Sequence, residues 1–220
     1  PGDRPGTVQA ACPYPHDFAD SQICGEYPVF LGAFHDTGTP VQDVGAKRFF
    51  RIIEKGLSRM DKLVLIDGHS ILNRAFYGVP DLTNSEGLHT NAVYGFLNIM
   101  FKILEEEKAD HLAVAFDLKE PTFRHKMYDA YKGTRKPMPE ELHQQVDLMK
   151  EVLTAMGIPI LTLPGYEADD ILGTVAKKSQ SQGIDVAVVS GDRDLLQLSD
   201  EHIKIRIPKT SRGGTEVKDY

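Results

Sequence analysis

Four stretches of this chain run through short, β-type apolar residues and end in acid. Leu63-Val64-Leu65-Ile66 leads into Asp67, and Leu112-Ala113-Val114-Ala115-Phe116 leads into Asp117. Ile158 to Leu163 passes through Gly165-Tyr166 to Glu167, Asp169 and Asp170, and Val186-Ala187-Val188-Val189 leads to Asp192 and Asp194. Near-continuous apolar runs separated by helical stretches predict buried parallel strands. In such sheets the ligand site lies beyond the carboxyl ends of the strands. All seven carboxylates are therefore expected to point into one crevice. Crowded like charges raise one another's pKa and destabilise the fold unless a cation neutralises them. Hard divalent ions such as Mg²⁺ suit carboxylate oxygens, so the pattern points to a metal-dependent site for phosphate chemistry.

The rest of the chain sets the frame for that site. With 41% hydrophobic residues in 220 there is enough apolar material for a real core. No apolar run approaches the length of a membrane span, and the N-terminus lacks the layout of a signal peptide. The only cysteines, Cys12 and Cys24, do not make a disulfide framework. A cytoplasmic monomer is the expectation. The net charge of −7 argues against nucleic acid only as an average, because the acids and bases are segregated along the chain.

Residues 1–59 are broken repeatedly by Pro and Gly and sustain neither helical nor strand period, apart from a possible short helix at Ala46–Leu57. They read either as a disordered extension or as translated upstream sequence ahead of a natural start at Met60. The purine-rich codons of Glu54-Lys55-Gly56 would suit a ribosome-binding site. From Met60 the pattern predicts strand 62–67, helix 69–77, a loop over 81–89, and helix 90–107 with Val93, Phe96, Leu97, Met100, Ile103 and Leu104 on its apolar face. Strand 111–116, a basic segment over 119–137, helix 139–156 and strand 158–163 come next. Helix 167–182, strand 184–189, a short helix 193–198, strand 202–207 and a loop or hairpin over 209–220 complete an α/β domain.

Each acid also has a plain structural explanation. Asp67 before Gly68 suits a turn, Glu167, Asp169 and Asp170 suit the first turn of a helix, and Asp192 suits an N-cap. Four acid-ended strands on one sheet edge are harder to obtain from capping alone. Two ions about 4 Å apart can activate water and steady the leaving oxygen of a phosphodiester.

The basic segment carries Lys119, Arg124, Lys126, Lys132, Arg135 and Lys136 against Glu120 and Asp129. If helical, it sets Arg124, Tyr128, Tyr131 and Arg135 on one face. Basic groups grip phosphates, and tyrosine rings offer stacking surfaces for bases. A solvated basic helix is the plainer reading. Gly133, Pro137 and Pro139 argue against a long rigid helix.

Taken in order, Leu65-Ile66-Asp67-Gly68-His69-Ser70, Ala115-Phe116-Asp117, Phe123-Arg124-His125, Tyr128 to Arg135, Pro164-Gly165-Tyr166-Glu167-Ala168-Asp169-Asp170 and Ser190-Gly191-Asp192-Arg193-Asp194 resemble a known family. It is the 5′-nuclease domain found at the N-terminus of bacterial DNA polymerase I, a relative of the flap endonucleases. The resemblance covers about Met60 to Tyr220. It implies a PIN-like, mainly parallel twisted sheet with helices on both faces and a basic helical arch over a two-metal site. It implies cleavage of 5′ ends and flaps of branched DNA with Mg²⁺ or Mn²⁺. By motif, Asp67, Asp117, Glu167, Asp169, Asp170, Asp192 and Asp194 correspond to metal ligands. Arg124, Lys132 and Arg135 correspond to arch residues that contact the scissile phosphate or strand. Arg74 and Tyr77 are weaker DNA-facing candidates, and Lys119, Lys126, Tyr128, Tyr131 and Lys136 complete the expected DNA surface.

The family continues with a helix–turn–helix-like clamp whose further Asp pair helps to hold the second ion, and this chain stops before it. A complete first ion site, an incomplete second site, weak activity and a polymerase domain in the full-length protein are the corresponding expectations. Three rivals share parts of the pattern. A PIN-type ribonuclease usually lacks the basic arch and the Tyr-Glu-Ala-Asp-Asp run. An aspartyl phosphotransferase needs Asp-x-Asp after its first strand, where this chain has Asp67-Gly68-His69. A catalytically incomplete DNA-binding fragment would not need seven acids.

Overall fold

The computed structural model describes residues 61–128, 130–133, 137–211 and 214–220. The expectations for residues 1–59, and for Arg135 and Lys136, lie outside the described residues. Strand β1 (Lys62–Asp67) leads into helix α1 (Gly68–Gly78), α2 (Asn91–Glu107) and β2 (His111–Ala115). The short α3 (Phe123–Met127), α4 (Glu140–Ala155), β3 (Ile160–Leu161), α5 (Ala168–Ser181) and β4 (Asp185–Val189) follow. A 3₁₀ turn at Asp194–Leu198 precedes β5 (Ile203–Ser211) and β6 (Gly214–Asp219).

One six-stranded sheet runs in the order β3-β2-β1-β4-β5-β6, parallel except for β6, which pairs antiparallel with β5. Successive side chains of a strand face opposite sides, which is why the central runs are apolar throughout. Leu63, Leu65, Val186 and Val188 pack with Ile171, Leu172, Val175 and Ala176 of α5. Val64, Ile66, Val114 and Val189 pack on the other face with Leu72, Phe96, Met100, Ile103 and Met149. Helices therefore cover both faces. The α1, α2 and α4 layer is fixed by a buried amide: Gln145 accepts from Ala92 N at 2.7 Å and donates to Asn91 at 3.0 Å. This caps α2, whose own Thr90 supplies no side-chain cap.

Two expectations change. The strand expected at 158–163 pairs with β2 only at Ile160–Leu161. Ile158 N instead bonds to Leu153 O beyond the end of α4, and Pro159 and Pro164 have no N–H for a ladder. The short helix at 193–198 is a 3₁₀ turn. The basic segment, which Gly133, Pro137 and Pro139 keep from one long helix, is helical only over α3 among its described residues. Its helix ends at Met127, with Tyr128 extended at φ −148°.

The chain moves from β1 outward to β2 and β3, then returns to place β4 on the other side of β1. That reversal is the topological switch point, where a crevice opens beyond the carboxyl ends of the two strands.

Candidate active site

Asp67 is the last residue of β1 and the N-cap of α1, and it stands in that crevice only 8% exposed. Its Oδ1 accepts from Ser70 N at 3.0 Å, and its Oδ2 accepts from the Ser190 hydroxyl at 2.8 Å. Ser190, fully buried just past β4, also accepts from Asp192 N at 3.0 Å. A relay from Asp192 N through Ser190 to Asp67 thus ties the ends of β1 and β4 together. Ser70 makes a second tie, its Oγ accepting from Gly191 N at 2.8 Å.

Asp117, just beyond β2, accepts from Ala168 N at 2.7 Å and so caps the start of α5. The His69 Nδ1 lies 3.6 Å from its carboxylate but accepts the Asp117 backbone N–H at 3.2 Å. A nitrogen that accepts carries no proton, and burial lowers the imidazole's pKa, so this contact joins a neutral ring to the acid. Gly68 lets the cluster close: a β-carbon there would lie 2.5 Å from the buried Phe116 ring, which meets His69 edge-on.

The α5 N-terminus carries the other three acids, where free N–H groups and the helix dipole favour negative charge. Glu167 is its N-cap, and Asp170 closes a capping box by accepting from Glu167 N at 3.0 Å. Both are buried, at 4% and 7% exposure, and both are paired with bases. Arg124 grips Asp170 with two bonds of 2.7 Å, and Lys132 donates to Glu167 at 2.7 Å. Tyr131 donates to Glu167 at 3.0 Å. Burial and that bond push its phenol up to about 12. Asp170 likewise raises the Arg124 pKa above its ordinary value.

Asp67 and Asp169 have no such base. Burial, opposed by the Ser70 and Ser190 hydrogen bonds and reinforced by Asp117 and Asp169, pushes Asp67 up to about 6. Burial, then Asp170, brings Asp169 to about 6 as well. Two acids this perturbed beside a third, Asp117, form a pocket of uncompensated negative potential built from hard oxygen donors. That chemistry fits a divalent cation. Among the described residues no three His, Cys, Asp or Glu side chains converge as a metal cage, so the expected meeting of all seven carboxylates in one crevice is not seen; Arg124 and Lys132 hold Asp170 and Glu167.

Five of the seven acids are thus knit together by hydrogen bonds or mutual electrostatics. Asp192 and Asp194 stand on the exposed turn beyond β4, with Asp192 Oδ1 accepting from Asp194 N at 2.9 Å. This is a local turn bond, and the 3₁₀ turn has Arg193 at its N-cap position with no side-chain cap. Of the expected DNA-facing residues, Lys119, Lys126 and Tyr128 are exposed, and Tyr77 is 69% exposed. Arg74 lies against Gly191, where a β-carbon would come 2.8 Å from its Nη2, and its buried Nε has no hydrogen-bond partner. Sequence reasoning missed Ser70, Ser190 and His69 as supports. They stand inside the recognised motifs, but their work depends on β1 lying beside β4 and β2.

Comparison with known proteins places this chain in a family. Residues 62–219 match the family described as 5′-3′ exonuclease, N-terminal resolvase-like domain. The chain belongs to the 5′-3′ exonuclease family. It is 49% identical over 159 residues to DNA polymerase I of Bacillus caldotenax and 46% identical over 164 residues to that of Bacillus subtilis. These matches cover 72% and 74% of this chain and 18% of each polymerase. It is thus a 5′-3′ exonuclease domain of the DNA polymerase I type. Among solved structures, phage T5 5′-exonuclease with divalent zinc ions bound shares the fold. The TM-score is 0.52 at 20% identity, over 72% of this chain and 57% of that one. A T5 flap endonuclease in a pseudo-enzyme-product complex with DNA and metal ions matches with a TM-score of 0.50 at 21% identity, over 66% of this chain and 54% of that one. Among the described residues no helix is long and apolar enough to cross a membrane.

Proposed function

We propose that this cytoplasmic domain hydrolyses phosphodiesters at 5′ ends and flaps of branched DNA with Mg²⁺ or Mn²⁺, as part of a longer polymerase. The carrying observation is the cluster Asp67, Asp117, Glu167, Asp169 and Asp170 at the switch point of a 5′-3′ exonuclease fold. Asp67, Asp117 and Asp169, with Glu167 and Asp170, would hold a first ion. Asp192 and Asp194 would contribute to a second, completed by residues from the longer protein. When bound, such ions acidify water and stabilise charge on the phosphodiester's oxygens.

The chain's own residues supply position and grip. Ser70 and Ser190 hold both oxygens of Asp67 and leave each a further lone pair for an ion. Arg124 and Lys132 provide positive charge for the scissile phosphate. Arg74, held beside Gly191 with an unmatched Nε, offers a further donor. Lys119, Lys126, Tyr128, Tyr131, Arg135, Lys136 and Tyr77 would extend the contact along the strand through charge and stacking.

Cleavage of an end-labelled 5′-flap DNA tests this reading, in a chain extended through the following domain. Wild type should cut with Mg²⁺ and stop with chelator. Asp67→Ala or Asp117→Ala should bind the DNA yet lose hydrolysis. Arg124→Ala or Lys132→Ala should weaken binding and flatten its salt dependence, because fewer counterions are released. If Asp67→Ala cuts at the wild-type rate, the nuclease reading fails, and a DNA-binding role becomes the better account.

A further inference from the structure

The best-paired carboxylates of the crevice are satisfied by the protein itself. Among the described residues, every donor from a side chain to Glu167 or Asp170 comes from Arg124, Tyr131 or Lys132. The stretch that carries them is anchored where it begins. Phe123 N donates to Gly165 O at 2.8 Å, and Thr122 and His125 close a reciprocal cap on α3. The His125 ring meets Tyr131 edge-on at 5.1 Å, and the Arg124 guanidinium lies 4.6 Å over the Phe123 ring.

Its far end is strained. Lys132 has a left-handed backbone, φ 58°, which a residue with a β-carbon adopts only when its surroundings compensate. Its side chain reaches Glu167 in a 2.7 Å ion pair and lies 5.4 Å over the Tyr131 ring, and Gly133 N closes the turn onto Ala130 O at 3.0 Å. Take that carboxylate away, and the strained turn loses its ion pair to the site.

The same oxygens cannot serve an ammonium group and a divalent ion at once. We propose that Thr122–Tyr128 together with Ala130–Gly133 is a counter-ion latch. Arg124, Tyr131 and Lys132 occupy Asp170 and Glu167 until a divalent ion takes these carboxylates, and the two bases are then freed to meet phosphate. This rests on the metal-dependent reading above and adds an order to it. Ion binding and latch seating compete, so an empty site presents Glu167 and Asp170 paired and its bases engaged. A DNA phosphate finds free Arg124 and Lys132 only after the ion has arrived. The coupling is reciprocal: the seated latch weakens the ion by the same factor by which the bound ion weakens the latch.

Two measurements on the 1–220 chain test the latch. Hydrogen exchange of peptides spanning Thr122–Gly133 is followed with chelator and with saturating Mg²⁺. Mg²⁺ affinity is measured by calorimetry for wild type, Lys132→Met, Arg124→Gln and Tyr131→Phe. Mg²⁺ should speed exchange in this stretch while leaving β1 and β4 protected. Lys132→Met should bind Mg²⁺ roughly five- to a hundredfold more tightly, the span typical of linked sites. The exchange experiment uses wild type, so it stands even if a variant misfolds. Normal Mg²⁺ binding with unchanged exchange, and variants that bind no more tightly, would overturn the latch while leaving the proposed function standing. Absence of Mg²⁺ binding in wild type and every variant would overturn both.

Discussion

Replacing Asp67 with Asn should make the metal-free domain more stable at neutral pH. The wild-type carboxyl is raised from 3.8 to about 6 by burial, a difference worth about 3 kcal/mol once the group is ionised. A carboxylate whose folded pKa is raised binds protons more readily in the native state. Its stabilising protonation is complete below about 4 and is lost as pH rises through about 6. Above that pH the native state carries the whole penalty. The carboxamide removes it but leaves the Ser190 hydroxyl, which now donates to Asp67 Oδ2, without an acceptor, at a cost of about 1 kcal/mol. The net gain is about 2 kcal/mol at pH 8 in chelator. For a domain of this size that is roughly 4–8 °C in Tm. Near pH 5 the gain should fall below about 1 kcal/mol. Saturating Mg²⁺ should reverse the order, because an ion at a hundred times its Kd stabilises the wild type by about 2.7 kcal/mol. Thermal melts by circular dichroism at pH 8 and pH 5, with chelator and with Mg²⁺, measure all three. A variant that melts below wild type in chelator at pH 8, or shows the same difference at both pH values, would refute the argument.

Three other perturbations probe the frame around the site. Arg206, 5% exposed, bonds Glu106, Glu107 and Asp219 at 2.6–2.8 Å and ties the β5–β6 hairpin to α2. Arg206→Met should cost roughly 2–3 kcal/mol in urea unfolding, below the usual 3–5 for a broken buried pair, because Lys62 and Lys204 remain on Glu107. Gly68→Ala should cost about 1–3 kcal/mol through overpacking on Phe116 and weaken Mg²⁺ binding by calorimetry, as the ring it displaces supports His69 and Asp117. A chain begun at Met60 should fold with unchanged Tm, because residues 1–59 lack the periodic apolar pattern that would dock them; earlier melting would place that segment in the core.

The central fold was legible because its strands are buried on both faces and announce themselves as unbroken apolar runs. β1 and the helices packed on it fell within a residue or two of expectation. β3 did not, since an edge strand flanked by Pro159 and Pro164 carries apolar residues without a ladder to match. Acids were legible as strand ends, but their pairing was not. Arg124 reads as a base on an exposed helix, and only the folded chain turns it onto Asp170, 46 residues away. Ser190 is equally silent: its role arises from Asp67, 123 residues earlier, lying in the adjacent strand. Such contacts follow from sheet order, which local periodicity does not encode.

The proposed divalent ion would bind at the carboxyl ends of β1 and β2 beside the start of α5. Iron-mediated backbone cleavage tests it directly: Fe²⁺ is substituted for Mg²⁺ in the 1–220 chain, ascorbate and peroxide are added, and the cut sites are mapped by mass spectrometry. Cuts should cluster around Asp67, Asp117 and Glu167–Asp170, be suppressed by excess Mg²⁺, and be lost in Asp67→Asn. Cuts confined to the opposite end of the sheet, or an unchanged pattern in Asp67→Asn, would contradict the claim.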